Sequence, residues 1–301
     1  PRSAIASCPW DKYQGDMARL FLLTTLTMVA FAANSILNRA ALAGGEAGPA
    51  AFAALRTLSG ALCLAIVVFA RSGMPRITGQ KRWLGTASLT LYMLGFSFAY
   101  VALDAGTGAL ILFGGTQITM FAGALLAGDR PTAVRWAGAS IAFAGLVWLL
   151  WPGAAGAPAV QPALLMAAAA LGWGLYSLVG RGAADPLQET AANFICAAPI
   201  TLVLFALLFD GITGRGVLLS VVSGAITSGL GYALWYSVLP RLETSVAALA
   251  QLTVPIIAAF GGALLLAEPP TTRLLLASVV VLGGVALGVL GGQRKIGSSA
   301  S

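Results

Sequence analysis

The sequence predicts an all-α polytopic membrane protein with ten transmembrane helices, arranged as two inverted five-helix repeats. Three observations support this prediction: composition, the number of apolar windows and an internal repeat. Of the 301 residues, 58% are hydrophobic and only 9% are charged, whereas soluble domains have roughly 25% charged residues. The chain also contains ten apolar windows of about 20 residues, the length that crosses about 30 Å of hydrocarbon. We therefore expect function to reside within the lipid bilayer.

The ten apolar windows follow one another with short connections that leave no room for a soluble domain. In chain order they cover 19–39, 50–70, 83–103, 107–127, 132–152, 162–181, 188–209, 216–239, 244–267 and 271–291. They define a first repeat over 19–152 and a second over 162–291, between cytoplasmic tails at 1–18 and 292–301. The first 18 residues lack the apolar core of a signal peptide. The absent initial Met and the ending "GSSAS" suggest that some terminal residues are not native.

The positive charges predict which side of the membrane each connection faces. Thirteen of the 17 Lys and Arg residues fall in the two tails and on one set of connections. Arg39, Arg215 and Arg273 fall on the other set, and Arg56 lies within a span. The positive-inside rule then predicts that both termini lie in the cytoplasm. This distribution accounts for the net charge of +7, so nucleic acid is not needed as a partner.

Two halves of the chain match each other. The segment "FAGALLAGDRPT" (121–132) matches "FGGALLLAEPPT" (260–271) at a constant offset of 139, and the same offset pairs Gly145 with Gly284. Because five spans are an odd number, the second copy enters the membrane from the opposite side. Inverted repeats are typical of alternating-access transporters, whose substrate site lies near the midplane between the repeats. Some channels share this architecture.

These motifs resemble the drug/metabolite transporter superfamily, EamA type. The resemblance rests on "GDRPT" and "AEPPT" after spans four and nine, on the Gly-rich spans five and ten, on "FAALRTLSGAL" in span two and on "TVPIIAAFGGALLLAE" in span nine. The overall pattern is most similar to bacterial amino-acid exporters, including the aromatic group. The resemblance implies amino-acid export by ten spans. One departure is that Pro255 in span nine corresponds to Thr116 in span four.

A zwitterionic amino acid needs polar partners for its carboxylate and its ammonium group inside the membrane. Candidate substrate-binding residues are therefore the polar or aromatic side chains near midspan, namely Tyr92, Tyr100, Gln117, Trp173 and Tyr176. The amide of Gln117 can both donate and accept hydrogen bonds, and Tyr92 and Tyr100 share one face of span three. The alternative for each residue is helix packing or an interhelical hydrogen bond.

The stretch "FAANSILNRA" (31–40) places Asn34 and Asn38 one helical turn apart in an apolar span. We expect both amides to bind substrate in an external vestibule; the alternative is a hydrogen bond to a neighbouring helix. Arg39 is expected only to snorkel from the end of the span.

Arg56 is the basic residue inside a span, where a charge costs about 2.5–3.5 kcal/mol. It could meet a substrate carboxylate, but the family pattern carries an Arg here in proteins of varied substrates, which favours a structural or gating role. Hinge or gating residues are also expected at Gly115, Gly231, Pro255 and Gly262, because glycine permits close approach and proline removes a backbone hydrogen bond. Small-residue packing is the alternative.

Absent groups limit the chemistry. The chain has no His, and its Asp and Glu residues lie in tails, connections or span ends, so no midspan group can carry a proton. We therefore expect facilitated transport rather than proton coupling. No metal site or cofactor is expected, since His and CxxC are missing. The sequence also lacks GxSxG, HExxH and a midspan Asp pair, which argues against an enzyme.

The leading hypothesis is an amino-acid exporter of a bacterial-type inner (plasma) membrane, with broad specificity that includes aromatic substrates. The alternatives are a carrier of another small metabolite, such as a sugar or nucleotide derivative, and a nonselective channel. The expected partners are the small-molecule substrate and the lipid bilayer, and no obligatory protein partner is evident.

Overall fold

The computed structural model describes residues 9–79, 81–153, 155–180, 183–242 and 244–291. Within these ranges the chain is helical apart from turns and one isolated β-bridge between Ala47 and Ile212, so the all-α prediction is confirmed. The helices are α1 Pro9–Ala43, α2 Pro49–Ser72, α3 Arg82–Ala99, α4 Ala105–Leu126, α5 Ala133–Leu150, α6 Val160–Gly180, α7 Pro186–Leu208, α8 Gly214–Arg241, α9 with its segments Thr244–Gln251 and Thr253–Leu265, and α10 Thr272–Gly291.

In the described part of the chain, nine helices are long and apolar enough to cross a membrane. The tenth, α3, is less apolar because its 18 residues begin with Arg82 and Trp83 and also include Gly, Ser and Thr. Most of its residues are buried, and it packs against α6, α7 and α2. A helix enclosed by protein needs less apolar surface than one that faces lipid, because neighbouring helices can satisfy its polar groups.

Helix α1 begins earlier than the sequence predicts. The segment 1–18 is expected to be a tail, but the chain is helical from Pro9 onward. At 1.5 Å per residue the 35 residues of α1 span about 50 Å, which exceeds the thickness of the hydrocarbon core. The first turns of α1 therefore extend beyond the bilayer, where polar residues such as Asp16 are tolerated.

Helices α2 and α7 begin with Pro49 and Pro186, whose fixed φ suits the first turn of a helix. The start of α2 is also bound by Asp210, which follows α7. The Asp210 carboxylate accepts hydrogen bonds of 2.7 and 3.0 Å from the backbone N–H groups of Ala50 and Ala51. A negative charge stabilises the positive end of the helix dipole, so this contact joins the end of α7 to the start of α2.

Two helices depart from regular α geometry. In α8, residues Val222–Leu230 are π-helical, a conformation that often occurs at functional sites. Here α8 crosses α2 so closely that a Cβ at Gly224 would overlap the Arg56 carbonyl group. Helix α9 is broken at Leu252, where Pro255 lacks the N–H group that would continue the helix from the Gln251 carbonyl.

The helix termini meet at two ends of the bundle, and charged residues pair at each. At the Glu268 end, defined by the end of α9, Arg39 binds Glu268 and Asp104. At the Arg82 end, defined by the start of α3, Arg82 binds Glu189 at 2.9 Å. Successive helices run in alternate directions between these two ends, as short connections require.

The main helix contacts pair α2 with α7 and α8, α3 with α6, α4 with α6 and α9, α5 with α10 and α1 with α8. Helices α5 and α10 pack along each other at one edge of the bundle and touch the rest mainly through α4. Large apolar side chains such as Leu22, Ile66 and Phe260 are exposed on the outer surface. Such residues face lipid, whereas the polar side chains described below lie inside.

The contact between α5 and α10 depends on two glycines that let the backbones touch. A Cβ at Gly284 would lie 2.6 Å from the Ala142 nitrogen and 2.8 Å from the Gly138 oxygen. The adjacent Gly283 has open space where its Cβ would be. The close approach explains why small residues recur in these two helices.

We predict that Gly284→Ala lowers the thermal stability of the protein in detergent, because the added methyl group overpacks the helix crossing at a cost of about 1–3 kcal/mol. Gly283→Ala is the matched control, and helix propensity alone should leave its stability unchanged or slightly higher. For each variant, the melting midpoint is the temperature at which half of the folded protein is still recovered by size-exclusion chromatography after heating. Equal midpoints for the two variants would contradict the close approach.

Candidate functional site

A large cavity of about 600 Å³ extends from the Arg82 end toward the centre of the bundle. Near the surface it is lined by Lys81, Glu189 and Asn193, and deeper by Gln117, Trp173 and aromatic residues of α8. Because Lys81 and Gly180 are exposed, this cavity is accessible from the Arg82 end. A cavity of this size accommodates a small metabolite.

Trp173 of α6 lies at the centre of an aromatic cluster at the inner end of the large cavity. Its ring stacks on Tyr176 at 5.5 Å and lies 5.0 Å from Tyr92 and 5.2 Å from Tyr232 between ring centroids. Phe31 of α1 contacts Tyr232 edge to face at 5.7 Å. Rings from α1, α3, α6 and α8 therefore meet at one point, where an apolar or aromatic group can pack.

A second, small cavity of about 20 Å³ lies beyond this cluster. Phe31, Trp173 and Tyr232 line both cavities, so we call these three rings the aromatic partition. The inner cavity is also lined by Asn34, Ser35, Tyr92, Phe96, Leu112 and Phe113. Its volume is enough for about one water molecule.

Arg56 is fully buried beside the inner cavity. Its Nη2 donates a 2.7 Å hydrogen bond to the Tyr92 hydroxyl and its Nε donates to the Ser228 hydroxyl at 3.3 Å. The guanidinium also lies 4.8 Å from the centre of the Phe96 ring and 5.2 Å from that of Tyr92, both cation–π contacts. Its Nη1 is buried without a hydrogen-bond partner among the described residues.

The two asparagines are buried in a hydrogen-bond network between α1 and α8. Asn34 accepts from Ser223 at 2.6 Å and Thr227 at 3.2 Å, and its amide lies 3.4 Å from the Tyr92 hydroxyl. Asn38 donates to the Asn34 backbone carbonyl within α1 at 2.9 Å and to the Ser223 hydroxyl of α8 at 3.4 Å, and it does not line either of the two cavities. In this conformation both amides thus bond to neighbouring helices, the alternative to an external vestibule, although Asn34 also lines the inner cavity.

The other predicted binding residues separate into two groups. Gln117, Trp173 and Tyr176 line the large cavity, and Tyr92 lines the inner one. Tyr100 does not join them, because it follows α3 at the Glu268 end and its hydroxyl donates to the Ala105 carbonyl at 3.2 Å. The ring contacts from Tyr92 through Phe96 to Tyr100 nevertheless follow one face, as the spacing predicts.

The predicted hinge residues lie at close contacts or helix irregularities. A Cβ at Gly115 would be 2.8 Å from that of Ala170 in α6, and one at Gly262 would be 3.2 Å from that of Ala105. Gly231 directly follows the π-helical segment of α8, and Pro255 follows the break in α9. Each therefore occupies a position where a small backbone change would shift a neighbouring helix.

The Glu268 end is held together by Arg39, so the expectation that Arg39 only snorkels is wrong. Arg39 binds the Glu268 carboxylate at 2.5 Å and the Tyr100 and Val101 carbonyl groups at 3.2 and 2.9 Å. Glu268 also accepts from the Ala105 N–H group at 3.0 Å. Burial and the charge of Glu268 raise the pKa of the nearby Asp104 carboxyl, whereas Arg39 opposes the rise.

Sequence reasoning missed several residues of this site, namely Phe31, Ser223, Thr227, Ser228 and Tyr232. The stretch "SGAITSGLGY" (223–232) does carry a signal, because small hydroxyl residues recur in an apolar span. Of this stretch, only Gly231 is predicted from the sequence, as a hinge or gating residue. The sequence repeat predicts that Arg181 in the second half corresponds to Arg39 in the first, and Arg181 lies outside the described residues.

Comparison with known proteins identifies the family. Residues 161–290 match the EamA-like transporter family. The chain is 48% identical over 272 residues to "Uncharacterized protein PA1977" of Pseudomonas aeruginosa, covering 89% of this chain and 94% of that protein. A crystal structure titled "Crystal structure of protein" matches with a TM-score of 0.66 at 21% identity, over 92% of this chain and 99% of its own, which shows a shared fold. The resemblance noted in the motifs is confirmed, and the chain belongs to the EamA-like transporter family.

Proposed function

We propose that this protein exports amino acids across a bacterial inner membrane by alternating access between two inverted five-helix repeats. The observation that carries the proposal is the large cavity, which is open at the Arg82 end and reaches an aromatic cluster at the centre of the bundle. At the opposite end, Arg39, Asp104 and Glu268 pack together. An open end and a packed end are what a carrier needs in one of its two states.

The helix contacts support the inverted repeat. A shift of five helices carries the contacts α2–α7, α4–α9 and α5–α10 onto themselves and exchanges α3–α6 with α1–α8. The shift also relates the acidic residues Asp129 and Glu268, which are at opposite ends of the bundle. Asp129 is exposed, whereas the Glu268 side chain is only 15% exposed. The two repeat-related acidic residues therefore differ in exposure, as expected when the end that holds Asp129 is open and the end that holds Glu268 is closed.

The charge distribution supports the direction of transport. The Arg82 end carries the excess of Lys and Arg residues, including Arg71, Arg76, Lys81 and Arg82. The positive-inside rule assigns this end to the cytoplasm, with both termini on the same side. The large cavity then receives substrate from the cytoplasm, as an exporter requires.

The lining of the cavity supports an amino-acid substrate with an aromatic or apolar side chain. Trp173 and Tyr176 offer stacked rings, and the Gln117 amide offers donors and an acceptor to a zwitterion. Glu189 and Asn193 lie nearer the open end and can meet an ammonium group during entry. Tyr92 and Asn34 lie beyond the aromatic partition. Asn38 and Tyr100 lie behind them toward the Glu268 end, where rearrangement would bring them into contact with substrate in the other state.

The change of state requires the Glu268 end to open. Gly262 lies on α9 beside Ala105 and Glu268, and Gly115 lies at the contact between α4 and α6. Together with Gly231 and Pro255, these residues are the proposed hinges of α4, α8 and α9. A nonselective channel would need both ends open together. A carrier of a sugar or nucleotide derivative is the alternative that a substrate test separates.

We predict saturable flux of phenylalanine and threonine, each competing with the other, in liposomes that contain the protein; glutamate is tested alongside. Gln117→Ala and Trp173→Ala should each lower phenylalanine flux about tenfold, because each removes a contact of about 1.4 kcal/mol or more. Trp136→Ala is the matched control, since Trp136 is half exposed on the outer face of α5 and packs on Phe121. If no amino acid moves, the amino-acid assignment fails and another metabolite must be sought.

We predict that Glu268→Gln opens the Glu268 end, because the substitution removes the ion pair with Arg39. The reporter is Leu103→Cys, a buried position at that end, in a protein whose native cysteines are replaced by Ser. Labelling by an impermeant maleimide should accelerate about fivefold or more. Glu46→Gln is the control, because Glu46 pairs with exposed Arg215 at the same end without touching α9. Equal labelling rates in Glu268→Gln and Glu46→Gln would contradict the proposal that the ion pair between Arg39 and Glu268 keeps this end closed.

We predict that a pH gradient alone drives no amino-acid accumulation. The acidic residues whose side chains are described lie at helix ends or in connections, and the larger part of them bind Arg or backbone N–H groups there. The test compares uptake into liposomes with and without one unit of pH difference at equal amino-acid concentrations. Strict dependence on the pH gradient would overturn the facilitated mechanism.

A further inference from the structure

Arg56 differs from the other buried arginine of the bundle in what surrounds its charge. The Arg273 guanidinium donates to four backbone carbonyl groups, those of Trp148, Leu149, Trp151 and Ala155. Those carbonyl dipoles stabilise a buried cation, so Arg273 is a structural clamp between α5 and α10. Arg56 has no such shell.

The partners of Arg56 are two hydroxyl groups and two aromatic faces. A guanidinium has five N–H donors, and here Tyr92 and Ser228 each accept one hydrogen bond. None of the ion pairs in the described residues includes Arg56, although Arg39, Arg71, Arg82 and Arg215 each bind a carboxylate. A fully buried cation without a counter-ion is costly, which favours binding of an anion from outside the chain.

A second polar atom without a regular hydrogen bond lies nearby. The Ser35 hydroxyl is buried and makes no hydrogen bond of regular geometry among the described residues, although the Tyr100 hydroxyl lies close enough to interact with it; Ser35 lines the inner cavity together with Tyr92. The Tyr92 hydroxyl bonds to Arg56 and also lies 3.4 Å from the Asn34 amide nitrogen. The inner cavity is therefore lined by hydrogen-bonding groups that connect directly to the Arg56 charge.

The aromatic partition lies between the inner cavity and the large cavity, because its three rings line both. The inner cavity of about 20 Å³ is too small for a carboxylate group, which has two oxygen atoms. A carboxylate that enters from the large cavity can reach Arg56 only if rings that line both cavities, Phe31, Trp173 or Tyr232, make room for it. Binding at Arg56 would thus be coupled to displacement of rings from α1, α6 and α8.

We propose that Arg56, with Tyr92 and Ser35, is the receptor for the carboxylate of the transported substrate, and that the rest of the substrate packs on the aromatic partition. This proposal rests on the proposed amino-acid function and adds the charge that a substrate must carry. Arginine suits this role because its planar donors match the two oxygens of a carboxylate. This role also accounts for the expected gating function of Arg56. A bound carboxylate would neutralise the guanidinium charge and weaken its hydrogen bonds to Tyr92 of α3 and Ser228 of α8.

The test uses three ligands with the same ring: phenylalanine, 3-phenylpropanoate, which lacks the ammonium group, and 2-phenylethylamine, which lacks the carboxylate. In wild-type liposomes 3-phenylpropanoate should inhibit labelled phenylalanine flux, and 2-phenylethylamine at the same concentration should not. In Arg56→Gln the affinity for phenylalanine and for 3-phenylpropanoate should fall at least about tenfold. Arg56→Lys should retain part of the preference for the carboxylate ligand.

Arg273→Gln is the matched control, because it removes the clamp described above and leaves both cavities intact. It should lower thermal stability but keep the wild-type order of the three ligands. If wild type binds 2-phenylethylamine as well as 3-phenylpropanoate, or if Arg56→Gln keeps the carboxylate preference, the receptor proposal is overturned. Should Arg56→Gln not fold, Arg56→Lys decides the question: its affinity for 3-phenylpropanoate should fall below that of wild type, and an unchanged affinity would overturn the proposal.

The outcomes also separate this proposal from the proposed function. If wild type transports no amino acid, the amino-acid function fails by itself. Binding of 3-phenylpropanoate is then measured by quenching of tryptophan fluorescence in the detergent-solubilised full chain. Quenching that Arg56→Gln abolishes and Arg273→Gln preserves supports the carboxylate receptor, and quenching unchanged in Arg56→Gln overturns it.

Discussion

The buried charge of Arg56 is the constraint around which the centre of this bundle is organised. A guanidinium on α2 must have hydrogen-bond acceptors inside the membrane, and α3 and α8 supply them through Tyr92 and Ser228. The π-helical segment of α8 allows that approach, because Gly224 brings the α8 backbone against Arg56 itself. The aromatic and amide groups next to it then form a continuous polar region in an otherwise apolar protein.

The two ends of the molecule show how such a centre can be exposed to one side at a time. At the Glu268 end a single side chain, Arg39, joins α1 to the end of α9 and to the carbonyl groups that follow α3. At the Arg82 end the ion pair between Arg82 and Glu189 joins only α3 to α7, and the space beside it stays open. The difference lies in how many helices each arginine links.

Much of the fold could be predicted from sequence because lipid imposes long apolar helices, and the predicted spans lie close to the observed ones. The π-helix of α8 could not be predicted, since hydropathy does not distinguish hydrogen bonds to i−5 from those to i−4. In the candidate site, Gln117 and Trp173 stood out as midspan polar or large aromatic groups. Phe31 did not, because its sequence context resembles that of lipid-facing Phe21. Arg39 was misjudged because its partner Glu268 is 229 residues away.

The limited apolarity of α3 has a consequence for how the protein is made. A helix that begins with Arg82 and carries several Gly, Ser and Thr residues partitions weakly into lipid by itself, and its main partner α6 is synthesised only after α4 and α5. Newly made α3 is therefore expected to stay near the insertion machinery, or to enter the bilayer as a hairpin with the more apolar α4. Biogenesis of the first half would then be complete only when the second half begins to arrive.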